Sequence, residues 1–221
     1  MPSKKRLPPK NNSPQIELPK EIFFQKVALV CLFFFIILLI FIKIGLTLPL
    51  DQGINSAARL IHSPYINYFL VALVNLTSIN NSIYLVIIIT ALLLLNRRYH
   101  QTIFLLISVS SAFFMEFIIK ILVQRPRPDT ALINLSDFSF PSGHSTISIL
   151  LFVFLIYAFK DDIKNKTLKY IFIIFCIFSF LIVGFSRIYI NVHWFTDVLA
   201  GFTLGLFCFT LFASYFHPEQ K

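Results

Sequence analysis

The chain has 221 residues, of which 57% are hydrophobic and only 13% charged, and its formal net charge is +9. Soluble domains carry about a quarter charged residues, so this composition, with its recurrent long apolar runs, excludes an ordinary soluble fold and predicts an integral membrane protein. The basic residues sit in short segments between apolar runs rather than along one stripe, which excludes a nucleic-acid partner and points to loops sorted by the positive-inside bias.

Residues 1–20 hold Lys4, Lys5, Arg6, Lys10 and Lys20 among several prolines. Such a segment cannot bury enough apolar surface to fold, and it is expected to be a disordered basic tail in the cytoplasm. Residues 21–217 are expected to form a single membrane domain. Its first apolar run, Phe23 to Leu48, exceeds a signal-peptide core and lacks a small-residue cleavage site, so it is expected to stay as a transmembrane helix. Lys26 and Lys43 can snorkel at its ends.

Leu50 to Ser63 is more polar, with Asp51, Asn55, Arg59 and His62, and is expected at the outer surface. Pro64 to Asn81 is apolar but broken by Asn67, Asn75, Asn80 and Asn81, which suits an interfacial helix better than a span. Ser82 to Leu95 is a cleaner run ending at Asn96-Arg97-Arg98, and its span is expected to begin within the Asn-rich part. Thr102 to Val123 forms the next helix, with Glu116 and Lys120 four apart and able to pair on one face. Arg125-Pro126-Arg127-Pro128 stops it, because proline lacks an N–H and disfavours helix in the residue before it. Ser145 to Phe159, Lys169 to Phe185 and His193 to Phe216 complete the helices. Cys31, Cys176 and Cys208 lie in apolar runs without metal-ligand spacing, which argues against a disulfide or zinc site.

The resulting fold class is all-α: a polytopic membrane protein of six transmembrane helices, with a short interfacial helical segment after the first. The tail, the Arg97-Arg98 loop, the Lys160 to Lys169 loop and Lys221 fall on one side, which the charge bias makes cytoplasmic, so both termini are expected there. The segments carrying Arg127, His144 and His193 then meet on the opposite face. Ionisable groups between apolar runs are expensive and mark function by default. Lys120, Arg127 and Arg187 suit the oxygens of a phosphate, and Pro141-Ser142-Gly143-His144 opens a helix whose amides add donors. His193 and Asp197 are four apart, so on a helix the carboxylate can hold one imidazole nitrogen and leave the other free. Two histidines could then divide the chemistry, one attacking phosphorus and the other protonating the departing oxygen.

Lys120 followed after six residues by Arg127-Pro128, then Pro141-Ser142-Gly143-His144, then Ser186-Arg187 followed after five residues by His193 and after three more by Asp197, resembles the three-part signature of the type 2 phosphatidic acid phosphatase family. The resemblance implies that His193 is the nucleophile, that Asp197 orients it, and that His144 is the general acid that later helps activate water. It implies that Lys120, Arg127, Arg187, Ser142 and Gly143 bind the phosphoryl oxygens. Three cations then replace the magnesium of other phosphoryl-transfer sites, so neither metal nor cofactor is expected. The substrates implied are lipid phosphates and diphosphates: undecaprenyl diphosphate first, then phosphatidic acid, phosphatidylglycerol phosphate or lipid A phosphates. The location implied is a bacterial cytoplasmic (inner) membrane with the site on its periplasmic face. The sequence leaves the oligomeric state open.

Asn191 stands where many family members have glycine, and Arg125-Pro126 duplicates Arg127-Pro128, which makes Arg125 a candidate contact for a second phosphate or a headgroup. Trp194 and Tyr189 are expected to anchor at the interface, and Gly184, Gly201 and Gly205 to permit close helix packing. Glu116 and His62 receive structural roles. The competing classes are a transporter, which would spread its charges through the membrane depth, and a non-catalytic lipid-phosphate-binding relative.

Overall fold

Eight helices, and no strand, are found among the residues described by the computed structural model, which are 19–76, 79–133 and 135–216. They are α1 (Lys20–Lys43), α2 (Leu48–Leu60), α3 (Pro64–Leu76), α4 (Ile79–Leu95), α5 (Tyr99–Val123), α6 (Gly143–Phe159), α7 (Lys166–Tyr189) and α8 (Phe195–Ala213). The tail expected over residues 1–20 lies, up to residue 18, outside the described residues, as does Lys221.

Four helices, α1, α5, α7 and α8, are long and apolar enough to cross a bilayer, against six expected. The shortfall is one of length. At 1.5 Å per residue the 17 residues of α4 and of α6 reach about 26 Å, under the roughly 30 Å of a hydrocarbon core. The single interfacial segment expected after α1 is instead two helices, α2 and α3, separated at Ser63-Pro64, where proline fits the first turn of a new helix but not the interior of an old one.

Local chemistry sets the ends. At the close of α5, Gln124 takes a left-handed conformation (φ +52°) and its N–H returns to the Lys120 carbonyl at 3.0 Å, after which Arg125-Pro126 prevents any continuation. The side chain of Asn165 caps α7 by accepting the Leu168 N–H at 3.1 Å. Asp197 does the same in reverse for α8, its Oδ2 accepting the Trp194 N–H at 2.9 Å. Because α7 runs on to Tyr189, Arg187 lies in its last turn rather than in a loop.

The helix α8 is central, with α6 and α1 packed along it, α5 against both α6 and α8, and α7 against α6. Gly201 and Gly205 make the α6–α8 approach possible. A Cβ at Gly201 would stand 2.5 Å from the Ser142 carbonyl, and one at Gly205 would run into the Thr146 carbonyl. The core between these helices is rich in aromatic rings, with Phe104 meeting Phe154 and Phe209 at centroid distances of 5.4 and 5.3 Å. Leu29, Phe33, Phe114, Leu122 and Phe178 are instead exposed on the outside of the bundle, where acyl chains rather than water suit them.

The two ends of the bundle differ. At one end Arg98 donates twice to Asp162, both at 2.6 Å, and to the Ala158 carbonyl at 2.7 Å, tying the Arg97-Arg98 turn to the Lys160 loop. At the other end the chain between α5 and α6 folds over the last turn of α7 and the first of α8. Here α2 and α3 lie against α7, and α2 also touches α8. Tyr189, expected at the interface, is fully buried there. Its ring meets that of His62 at a tilt, with centroids 4.5 Å apart, and its hydroxyl donates to Asn67 at 2.8 Å, so it is the hub under α2 and α3. His62 completes the hub by donating from Nε2 to the Tyr189 carbonyl at 2.7 Å.

Candidate active site

A pocket at this second end is lined by Lys120, Arg127, Gly143, His144, Arg187 and His193, together with Glu116, Asp137, Phe113 and Ile147. The first six come from helix ends or the loops beside them. Lys120 lies one turn before the end of α5, Gly143 and His144 open α6, Arg187 closes α7, and His193 sits in the turn leading to α8.

That turn is shaped by Asn191, whose φ of +60° is left-handed. Glycine and asparagine are the residues that adopt this conformation most cheaply, which suits asparagine to the position. The Asn191 side chain is used as well. Its Oδ1 accepts from Asn55 Nδ2 at 2.6 Å and its Nδ2 donates to Thr130 at 2.8 Å.

His193 is 2% exposed, and its Nδ1 lies 2.7 Å from the Ser139 carbonyl. A carbonyl only accepts, so Nδ1 carries the proton and Nε2 carries the lone pair. Nε2 points at Arg127 Nη1, 3.2 Å away. Burial pushes the His193 imidazole down from its ordinary 6.5 to about 4; the Asp197 carboxylate, 3.7 Å from Nδ1, pulls upward, and the Arg127 and Lys120 charges push down. The ring is therefore neutral at physiological pH, and its unprotonated nitrogen, which accepts from Arg127, faces the pocket. An unprotonated imidazole nitrogen is chemically a nucleophile or a proton acceptor, and the imidazole of His144 lines the same pocket.

The cations are not idle. Arg127 donates to the Asp137 carboxylate at 2.6 Å, to the Asp137 carbonyl at 2.9 Å and to the Val192 carbonyl at 2.6 Å. Lys120 Nζ meets Asp137 at 2.5 Å and Glu116 at 3.2 Å. Burial by itself would raise the Asp137 carboxyl, but the hydrogen bond and charge of Lys120, then Arg127, outweigh it and hold the group down to about 2.

The other sequence-predicted residues stand behind the pocket. Asp197 is fully buried, with Oδ2 on the Trp194 N–H and Oδ1 2.6 Å from Arg125 Nη1. Ser142 is buried too. Its N–H donates to the Asp197 carbonyl at 3.0 Å and its hydroxyl accepts from Ser145 at 2.9 Å. Arg125, considered for a second phosphate or headgroup, is turned inward instead. It is 9% exposed, bridges Asp51 and Asp197, and lies under the Trp194 ring at 5.6 Å. Two buried carboxylates offer a guanidinium more than a distant lipid headgroup can.

Glu116, given only a structural role in sequence, lines the pocket. Ser139 and Asp137 had no signal at all, one acting through its carbonyl and the other being a lone loop acid. An apolar groove lined by Tyr84, Leu85, Ile88, Phe152 and Val183 shares His144 and Ser82 with the pocket.

A sequence model of the PAP2 superfamily matches residues 101–221. Over 181 residues the chain is 33% identical to phosphatidylglycerophosphatase B of Bacillus subtilis (strain 168), covering 80% of this chain and 89% of that protein. Over 188 residues it is 30% identical to an undecaprenyl-diphosphatase of Sulfolobus acidocaldarius, covering 78% and 86%. The crystal structure of a transmembrane PAP2-type phosphatidylglycerolphosphate phosphatase from Bacillus subtilis superposes with a TM-score of 0.77 at 29% identity, over 88% of this chain and 98% of that one. LpxE of Aquifex aeolicus superposes with a TM-score of 0.62 at 20% identity, over 75% and 96%, a likeness of fold.

Proposed function

The chain belongs to the PAP2 superfamily of membrane phosphatases, and from that premise we propose that it hydrolyses a lipid-linked phosphate or diphosphate through a phosphohistidine. One observation carries the reading: the unprotonated Nε2 of His193 faces the pocket that His144, Lys120, Arg127 and Arg187 also line. His193 Nε2 attacks phosphorus as the bond to the leaving oxygen breaks, and His144 gives that oxygen its proton. Water then gives its proton to His144 and attacks the phosphohistidine, releasing inorganic phosphate and restoring His193. Lys120, Arg127, Arg187 and the Gly143 amide carry the charge of the transition state. Three fixed cations supply the charge that a metal supplies elsewhere, so the reading is metal-independent and a chelator should leave the rate unchanged.

The groove beside His144 supports a substrate with an apolar tail. Undecaprenyl diphosphate stands first, with phosphatidylglycerol phosphate, phosphatidic acid and lipid A phosphates accommodated by the same residues. We read α1, α4, α5, α6, α7 and α8 as six spans, with α2 and α3 at the interface, residues 19–216 as one domain, and the pocket on the extracytoplasmic side. Arg97, Arg98, Lys160, Lys164, Lys166 and Lys169 at the far end support that orientation in a bacterial cytoplasmic membrane. A transporter fits less well, since the buried charges gather at one end of their helices instead of marking a path.

The test is phosphate release from undecaprenyl diphosphate, phosphatidic acid and phosphatidylglycerol phosphate in mixed micelles, wild type beside His193→Ala. Turnover by wild type alone supports the reading. No release from any of them, or equal release by both proteins, sinks it.

A further inference from the structure

The residues matched by the family begin at 101, yet the site is completed by a helix that precedes them. Helix α2 turns Asp51 and Asn55, four apart and hence on one face, toward the His193 turn. Both are buried, Asp51 completely. Asp51 Oδ1 accepts the Thr196 N–H at 2.9 Å, and its Oδ2 accepts the Thr196 hydroxyl at 2.7 Å and Arg125 Nη2 at 2.6 Å. The other guanidinium nitrogen of Arg125 holds Asp197 at 2.6 Å and the Thr196 hydroxyl at 2.8 Å. Asn55 adds a bond to the His193 carbonyl at 3.0 Å.

One guanidinium thus serves two buried carboxylates. Arg125 is kept in place by Asp51, and Arg125 in turn fixes the carboxylate that lies 3.7 Å from the His193 ring. Asp197 has no freedom to turn either, because its second oxygen holds the Trp194 amide. Without Asp51, Arg125 is free to close on Asp197 with both nitrogens, which draws that carboxylate off the Trp194 amide and moves the turn carrying His193.

We propose that Asp51 is a positioning residue for the reaction, acting through Arg125 and Asp197 to set the His193 imidazole. The inference rests on the phosphatase reading above and assigns to α2 a part in turnover that no motif marks. It distinguishes charge from mere helix capping. An asparagine at 51 still offers Oδ1 to the Thr196 N–H, so the start of α8 survives, while the ion pair with Arg125 is lost.

The experiment compares kcat, KM and thermal midpoint of wild type, Asp51→Asn, Arg125→Gln and the double variant in detergent micelles on one lipid phosphate. For Asp51→Asn, kcat should fall about 10- to 100-fold with KM within about threefold, since misplacing a reacting group by an ångström costs rate more than binding. The double variant should be no slower than the worse single one, because the two residues act as one unit. A folded Asp51→Asn protein with kcat within about twofold of wild type, or single losses that multiply in the double variant, overturns the inference. Should Asp51→Asn not fold, Arg125→Lys carries the test. An ammonium cannot bridge both carboxylates, so kcat should fall about tenfold, and an unchanged kcat overturns the inference equally. Wild type that releases no phosphate would instead strike at the phosphatase reading itself.

Discussion

The Asp137 carboxylate lies 2.6 Å from the Arg127 guanidinium, in the pocket where Arg127 is proposed to hold a phosphoryl group. Its other oxygen engages Lys120 at 2.5 Å, so a single loop acid, half exposed, occupies two of the three cations. An incoming phosphate has to displace or share that acid. Replacing Asp137 by asparagine removes the competing charge, and inhibition by inorganic phosphate should tighten about fivefold, the size expected from partly exposed ion pairs. Competitive inhibition constants for wild type and Asp137→Asn check this, and an unchanged or weaker constant in the variant counts against it.

The expected pH dependence follows from His193. In the proposed mechanism its reactive form is the neutral ring, and burial with the Arg127 and Lys120 charges brings its pKa down to about 4, against the upward pull of Asp197. The acid limb of kcat/KM should therefore fall near pH 4 rather than near 6.5. Stability moves with the same sign. Between pH 6.5 and 4 the unfolded chain takes up a proton that the folded ring refuses, so this contribution to folding is lost as pH falls through that window. A rate profile and a thermal-midpoint profile measured over pH 3.5 to 8 test both statements.

His144 can be separated from His193 by the leaving group. Loss of a general acid costs about 10²- to 10⁴-fold when the departing oxygen is a poor leaving group. In kcat/KM, which reports the step that expels the leaving group and not the later attack of water, His144→Ala should therefore lose most on an alkyl lipid phosphate and much less on an aryl phosphate, whose phenolate departs without a proton. His193→Ala should lose both. Equal losses on the two substrates for His144→Ala would remove its role as acid.

Gly201 supports the site from behind. A methyl group there meets the Ser142 carbonyl, which is main chain and cannot rotate away. Gly201→Ala should cost about 1–3 kcal/mol, seen as a lower thermal midpoint in detergent. Gly53, inside α2 with open space around its Cβ position, is the control, and Gly53→Ala should hold or raise the midpoint, since alanine favours a helix interior over glycine by about 1 kcal/mol.

Much of this was legible in sequence because hydrophobicity and spacing report directly on local structure. The proline pair after Val123, the basic turns and the long apolar runs located the helices to within a few residues. Span number was less legible, since α4 and α6 end at 17 residues and hydropathy does not say how a short helix meets a bilayer. Lys120, Arg127, His144, Arg187 and His193 could be named from their spacing, and the structure brings them to one pocket. Spacing cannot tell which side of a wall a residue faces. Arg125 and Arg127 are two apart in a loop, yet one is turned into the protein and the other toward the pocket. The Ser139 carbonyl and the Asp51 carboxylate were invisible for another reason. One is a main-chain atom, and the other reaches its partners across more than 70 residues of chain.

The amide of Ser142 donates to the carbonyl of Asp197, so the starts of α6 and α8 are stitched together by main chain. The backbone beside His144 is thereby linked to the helix start that follows His193 by peptide groups that side-chain replacement leaves intact. The apolar walls along Tyr84, Ile88 and Phe152 can change by substitution while that link stays put.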